Sequence, residues 1–172
     1  MTNTPTEKAF TIDTSSIKFG PGITKEAGFE LNRLGTKRVM VVTDHKMAES
    51  HAVKSATESL KRNGIDHTIF DQVSVEPTDD SLKNAIRFAI EGKFDGFLPV
   101  GGGSSIDTAK AANLYSTYPG DFLEYVNAPI GKGTPVPGDL KPLVAVPTTI
   151  GTGSETTGVA IFDFKYIGAK TG

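Results

Sequence analysis

The stretch that decides the fold runs Gly96-Phe97-Leu98-Pro99-Val100-Gly101-Gly102-Gly103-Ser104-Ser105-Ile106-Asp107-Thr108-Ala109-Lys110. An apolar run reads as a buried strand, three glycines follow, and a helical pattern starts at about Ser104 and continues to about Tyr115. A strand, a bare backbone loop and a helix start in that order present N–H groups and the positive end of a helix to a phosphate. Three adjacent glycines permit positive φ and close approach of a ligand to the backbone. Ser104 is placed to cap the helix through its hydroxyl. A flexible turn without a ligand is the local alternative, and the spacing is not the G-x-G-x-x-G fingerprint.

A second segment repeats the arrangement. Leu143-Val144-Ala145-Val146 reads as a buried strand and is followed by Pro147-Thr148-Thr149-Ile150-Gly151-Thr152-Gly153-Ser154-Glu155. The hydroxyls of Thr148, Thr149 and Thr152 are neutral donors and acceptors suited to ribose, carboxamide or phosphate oxygens. Two such points suggest a nucleotide held between them.

Working outward, Ile12 to Phe19 is a candidate strand closed by the turn Gly20-Pro21-Gly22. Thr24 is a candidate cap for a helix with Ala27, Leu31 and Leu34 on one face, stopped at Gly35. Arg38-Val39-Met40-Val41-Val42-Thr43 reads as a buried strand ending in Asp44. A helix over about Ala48 to Arg62, a short strand His67 to Phe70, and a helix capped by Thr78 or Asp79 follow. The proline-rich stretch Tyr118 to Lys141 reads as loop, with at most one helical turn at Asp121–Val126, and Val159 to Phe164 as a hairpin strand. The alternation predicts an α/β fold with a mostly parallel, Rossmann-like sheet flanked by helices and an N-terminal β-hairpin element. Residues 1–10 are expected to be a loose tail and residues 11–172 one dinucleotide-binding α/β domain.

Ligands on such sheets lie beyond the carboxyl ends of the strands. Asp44, Gly101–Ser104 and Thr148–Thr152 are therefore expected on one rim. Asp44 suits a bidentate bond to the 2′- and 3′-hydroxyls of an adenosine ribose, and its charge opposes a 2′-phosphate, favouring NAD over NADP. A local capping role is the alternative. Asp107 is open to two readings, a helix-start carboxylate or a group that reaches a cofactor amide or hydroxyl. Lys110 is expected to face solvent unless the loop's ligand is anionic.

Bulk properties narrow the partners. The net charge is −2 and cysteine is absent, which argues against nucleic acid or an anionic membrane and removes disulfides and thiolate chemistry. No stretch approaches a membrane span. Met1–Phe10 lacks the pattern of a signal peptide or presequence, so a cytoplasmic location is expected. His45, His51 and His67 are dispersed and read as structural or surface residues.

Together these residues resemble the N-terminal half of the iron-containing (group III) alcohol dehydrogenase family. The resemblance rests on Phe19-Gly20-Pro21-Gly22, the strand ending in Asp44, Gly101-Gly102-Gly103-Ser104 with Asp107 and Lys110, and Pro147-Thr148-Thr149 with Gly151-Thr152-Gly153-Ser154-Glu155. Asp13-Thr14-Ser15-Ser16-Ile17, Val75-Glu76-Pro77-Thr78-Asp79, Ala111-Ala112-Asn113-Leu114-Tyr115 and Tyr125-Val126-Asn127-Ala128-Pro129-Ile130-Gly131-Lys132-Gly133 resemble its hydroxyacid–oxoacid transhydrogenase branch. The resemblance implies NAD as cofactor. It assigns Asp44 to the adenosine ribose, Gly101, Gly102, Gly103 and Ser104 to the pyrophosphate, and Asp107 and Thr148 to the nicotinamide side. Thr149 and Thr152 would line the cleft, Ile161 would back it, and Lys170 would reach the cofactor. It further implies hydride passing from 4-hydroxybutyrate through NAD to 2-oxoglutarate, with a small alcohol or hydroxyacid as substrate and a homo-oligomer left open. Relatives of the animal branch are implied to be mitochondrial.

One departure accompanies the resemblance. The family holds a divalent metal, iron or zinc, on an aspartate and three histidines of an all-helical C-terminal domain, and the sequence to Gly172 contains no matching positions. The expectation is a fragment, ending where a hairpin partner for Val159–Phe164 would stand.

Overall fold

The computed structural model describes residues 15–172. The expected tail and the start of the Ile12–Phe19 strand lie outside the described residues. Ser15 to Phe19 are not in a strand, so the N-terminal strand is not found in the part of it that is described.

A 3-10 turn, Ile23–Glu26, leads into α1 (Ala27–Arg33). Thr24 lies inside that turn and Gly22 takes the cap position, without a side-chain bond. Gly35, at φ 85°, ends α1 in the left-handed region as expected. β1 (Arg38–Val42), α2 (His51–Arg62), β2 (Asp66–Phe70), α3 (Asp79–Gly92), β3 (Gly96–Gly101) and α4 (Gly103–Thr117) alternate in turn. Thr78 caps α3 in a reciprocal box with Ser81, the hydroxyl taking one free helix amide and Ser81 returning a bond to the cap amide.

The strands form a four-stranded sheet in the order β2-β1-β3-β4, all parallel, where β4 is Val146–Pro147. Alternate residues of β1 face opposite sides. Val39 and Val41 pack with Ala27, Leu31, Val53 and Leu60 of α1 and α2. Met40 and Val42 pack with Ala85 and Ala89 of α3 and Ala109 and Ala112 of α4. Helices therefore cover both faces, which is why β1 and β3 are apolar without alternation. The order places β2 on one side of β1 and β3 on the other. A crevice opens at such a switch point, and doubly wound sheets with this strand order bind ligands there.

The strand expected over Leu143–Val146 is broken, and the cause is in its neighbour. Phe97 donates its N–H to the Pro142 carbonyl at 2.9 Å and accepts from the Val144 N–H at 3.0 Å. The next residue of β3 facing β4 is Pro99, which has no N–H to give. Pairing lapses to a lone bridge at Leu143 and resumes only at Val146.

β5 (Phe162–Phe164) pairs antiparallel with β6 (Ala169–Thr171). The hairpin partner expected to be missing is thus present, reached by a turn in which Gly168 has φ 62°. Phe162 packs with Leu82, Ala111 and Val126, which seats the hairpin on α3 and α4. The stretch Tyr118–Lys141 contains no helix. At Asp121 the carboxylate and carbonyl accept from the Leu123 and Glu124 amides, both at 2.9 Å, making a turn where a helical turn was expected.

Candidate functional site

The strand register sets the rim. Val42 stands beside Pro99, so Asp44, two residues on, is level with Gly101. Gly101 in turn stands beside Pro147, and its carbonyl accepts from the Thr148 amide at 2.9 Å. Asp44, Gly101 and Thr148 therefore mark the ends of three adjacent strands, as the sequence implies. Buried Thr43 ties the crevice together: its N–H donates to Phe70 of β2 at 2.9 Å and its hydroxyl to the Val100 carbonyl of β3 at 2.8 Å. The sequence reading treats it only as a strand end.

The two glycine segments touch. A Cβ at Gly102 would stand 3.1 Å from Thr149 Oγ1, and one at Gly103 would stand 3.1 Å from Ser154 Oγ and from Thr152 Cβ. None of Gly101, Gly102 or Gly103 has positive φ. Crowding marks them instead, tightest at Gly101, where a Cβ would stand 2.8 Å from Ser105 Cβ, a correction to the expected conformational reason. Positive φ occurs instead in the second segment, at Gly151 (109°) and Gly153 (71°).

Gly102 is the N-cap of α4 and contributes no side chain to it; Ser104 is the second helical residue, so its expected capping role is not found. The consequence favours a ligand. The amides of Gly103 and Ser104 donate to nothing among the described residues, and they lie at the positive end of a 15-residue helix. The cradle fits a pyrophosphate.

Asp44 is half-buried. Its Oδ1 accepts from the Lys46 and Met47 amides at 2.9 and 3.0 Å, capping the turn after β1, while Ser50 caps α2. Oδ2 accepts nothing among the described residues. The local role is real and uses one carboxylate oxygen only.

Asp107 is buried, 7% exposed. Its Oδ2 accepts from the Ile161 amide at 3.2 Å, whereas Oδ1 has no hydrogen bond. Burial raises its pKa, opposed by the Ile161 N–H, the Ser154 hydroxyl and the Lys110 charge. Lys110 does not face solvent as expected. It donates to the Val159 carbonyl at 2.7 Å and lies 3.8 Å from Asp107 Oδ1, and burial lowers its pKa. Nothing in the i, i+3 spacing alone reveals that contact, because the Val159 carbonyl is 49 residues away. Thr148, Thr149 and Thr152 are exposed, as is the Ile161 side chain. Lys170 sits on the hairpin, with Glu76 at 3.4 Å and Asp163 at 3.9 Å; the structure shows it in contact with neither glycine segment.

A cavity of about 1190 Å³ lies beside β4, among Ile17, Phe19, Leu114 and Val144. Thr148 and Thr149 border it, but Asp44, Gly101–Ser104 and Asp107 do not, so it is not the crevice at the switch point. No three His, Cys, Asp or Glu side chains come together as a metal site among the described residues. The residues present therefore do not fit the divalent metal. His45 is exposed beside Asp71, and His51 contacts Ser55.

Residues 14–172 match the family model described as iron-containing alcohol dehydrogenase. The chain belongs to that family. It is similar to the mitochondrial hydroxyacid-oxoacid transhydrogenase of Bos taurus, with 56% identity over 97% of this chain and 36% of that protein. Among solved structures it is similar to the NADH-dependent butanol dehydrogenase A of Thermotoga maritima (TM-score 0.85, 25% identity, 95% of this chain and 40% of the other). It is also similar to the sulfoacetaldehyde reductase of Bifidobacterium kashiwanohense in complex with NAD+ (TM-score 0.80, 25% identity, 95% and 43%). These iron-containing alcohol dehydrogenase relatives are oxidoreductases, and the chain spans about a third of the length of the curated relatives it matches. The Bos taurus protein is mitochondrial by name. Among the described residues no helix is long and apolar enough to cross a membrane, and Met1–Phe10, on which the presequence expectation rests, lie outside them.

Proposed function

We propose that this chain is the NAD-binding half of an oxidoreductase that passes hydride between a small hydroxyacid or alcohol and a carbonyl partner, as in hydroxyacid–oxoacid transhydrogenation. The observation that supports it is the meeting of the two glycine segments at the switch point, with unused amides at the start of α4 and Asp44 level with them. Bound NAD supplies a reversible hydride acceptor at its nicotinamide ring. The chain's residues bind and orient it. The Gly103 and Ser104 amides take the pyrophosphate, Asp44 Oδ2 takes the ribose hydroxyls, and Asp107 with Thr148 faces the nicotinamide side. Thr149, Thr152 and Ile161 wall the cleft, and Lys170 would have to leave Glu76 to reach it.

The lack of a metal cluster among the described residues favours a second reading for the 172-residue chain itself. It binds the cofactor without turnover, and substrate activation falls to ligands elsewhere in the full protein. Calorimetric titration with NAD+ and NADP+ tests the cofactor role. Wild type should prefer NAD+, and Asp44→Gly should reduce that preference about tenfold, the worth of one charge-assisted hydrogen bond. An unchanged ratio removes Asp44 from the site, and no binding of either up to about 1 mM removes the site.

A further inference from the structure

Residues 157–161 carry no strand partner of their own, yet two of their backbone groups are held from α4. The Val159 carbonyl accepts from Lys110 Nζ at 2.7 Å, and the Ile161 amide donates to Asp107 Oδ2 at 3.2 Å. A carbonyl at one residue and an amide two residues later are what a strand offers to a neighbouring strand. Asp107 and Lys110, one helical turn apart, fill that place with side chains. Both are largely covered, their side chains 10% and 18% exposed. Lys110 also reaches Thr157 Oγ1 at 3.4 Å.

The charges around Lys110 show that it does more than join two segments. On α4 it lies 3.8 Å from Asp107 Oδ1. Glu155 of the second glycine segment, whose Oε2 is buried without a hydrogen bond, acts on it more weakly than Asp107 does. Burying such a set costs free energy, and removing the cation leaves the Asp107 carboxylate uncompensated. The clamp also ends at Asp107, assigned to the nicotinamide side, and at Ile161, assigned to the wall of the cleft, and is separate from Asp44.

We propose that Lys110 is a positioning residue: it holds the Val159–Ile161 segment and the Asp107 carboxylate in register, and so sets the nicotinamide end of the cleft without acting on the adenosine end. The proposal rests on the NAD reading above. Its test uses two ligands that share the adenosine and pyrophosphate parts, NAD+ and ADP-ribose, titrated into the wild-type chain, Lys110→Met and Lys110→Arg. Amide hydrogen exchange at Ile161 is read in the same proteins without ligand.

Lys110→Met should weaken NAD+ about tenfold, the lower range for breaking a covered charge pair. It should leave ADP-ribose within about twofold and speed exchange at Ile161, and Lys110→Arg should recover most of both. Equal weakening of both ligands means a general lesion and overturns the proposal, as does unchanged exchange at Ile161. A wild-type chain that binds neither ligand overturns the NAD reading and the positioning role with it, while the exchange rates still report whether the clamp exists. Should Lys110→Met lose its cooperative thermal transition, Lys110→Gln, which keeps a polar end and drops the charge, is read by the same criteria.

Discussion

The two glycine segments look alike in sequence and are built on different principles. Gly101–Gly103 joins a fully buried strand to a 15-residue helix. Its backbone is ordinary and its glycines are there because neighbours crowd them. Gly151–Gly153 is largely exposed, its glycines are left-handed, and a Cβ at either would meet nothing within 4 Å. The first segment is a rigid floor set by packing. The second is a lid-like loop whose shape is set by backbone conformation, and side chains reaching from α4 hold the segment that follows it. A phosphate seat needs the rigidity of the first, and a wall that must fit a ring and a substrate can be built like the second.

Breaking the floor should have the largest effect. A side chain at Gly101 would overlap Ser105 Oγ and bring its Cβ to within 2.8 Å of Ser105 Cβ, and Ser105 is fixed in a buried helix turn. Gly101→Val is therefore expected to lower unfolding stability by about 3 kcal/mol, the upper part of the range for overpacking. Chemical denaturation measures it, and a loss below about 1 kcal/mol would show that the floor yields.

Bending the lid should cost less. Gly153→Ala meets no neighbour, so its penalty is the left-handed backbone alone, about 1 kcal/mol. The same denaturation experiment compares the two. Equal losses would erase the distinction between a packed and a conformational glycine.

The sequence made the floor legible and the lid's support illegible, for physical reasons. Apolar runs at Val39–Val42 and Phe97–Val100 have one stable use, a strand covered on both faces, and the glycines after Val100 mark its rim. Boundaries and caps were less readable. Ser104 is a good capping residue by chemistry, yet the cap falls two residues earlier, at Gly102, with Gly103 set against Ser154 and Thr152. Pro99 carried a readable warning, since a proline within a strand withholds a ladder bond, but which neighbour it deprives depends on strand order. Phe162–Phe164 is the end of the strand expected from Val159, whereas its partner Ala169–Thr171 is three residues, too short for a period to declare itself, and Lys110 acts across a separation that no local pattern encodes.

Asp107 joins floor to lid, and its titration sharpens the comparison with the smallest expected effect. Burial is the leading influence on its carboxyl and raises the pKa, with the Ile161 N–H, the Ser154 hydroxyl and the Lys110 charge acting against it. A carboxyl whose folded pKa exceeds its unfolded value binds its proton more tightly when folded. The stability it contributes is then complete below the unfolded value of about 3.9 and is lost as pH rises through the folded pKa. At neutral pH the ionised Asp107 therefore opposes folding, although Lys110 stands beside it. Asp107→Asn keeps the shape and removes the charge. It should unfold at a slightly higher temperature than wild type at pH 7, with the gap closing as pH falls toward 4. The opposite sign, a variant less stable at pH 7, would mean that pairing with Lys110 outweighs burial and that the carboxylate is held for stability. The expected sign means that a charged, partly unsatisfied carboxylate is kept between floor and lid at a cost to the fold, which is how a group reserved for a ligand behaves.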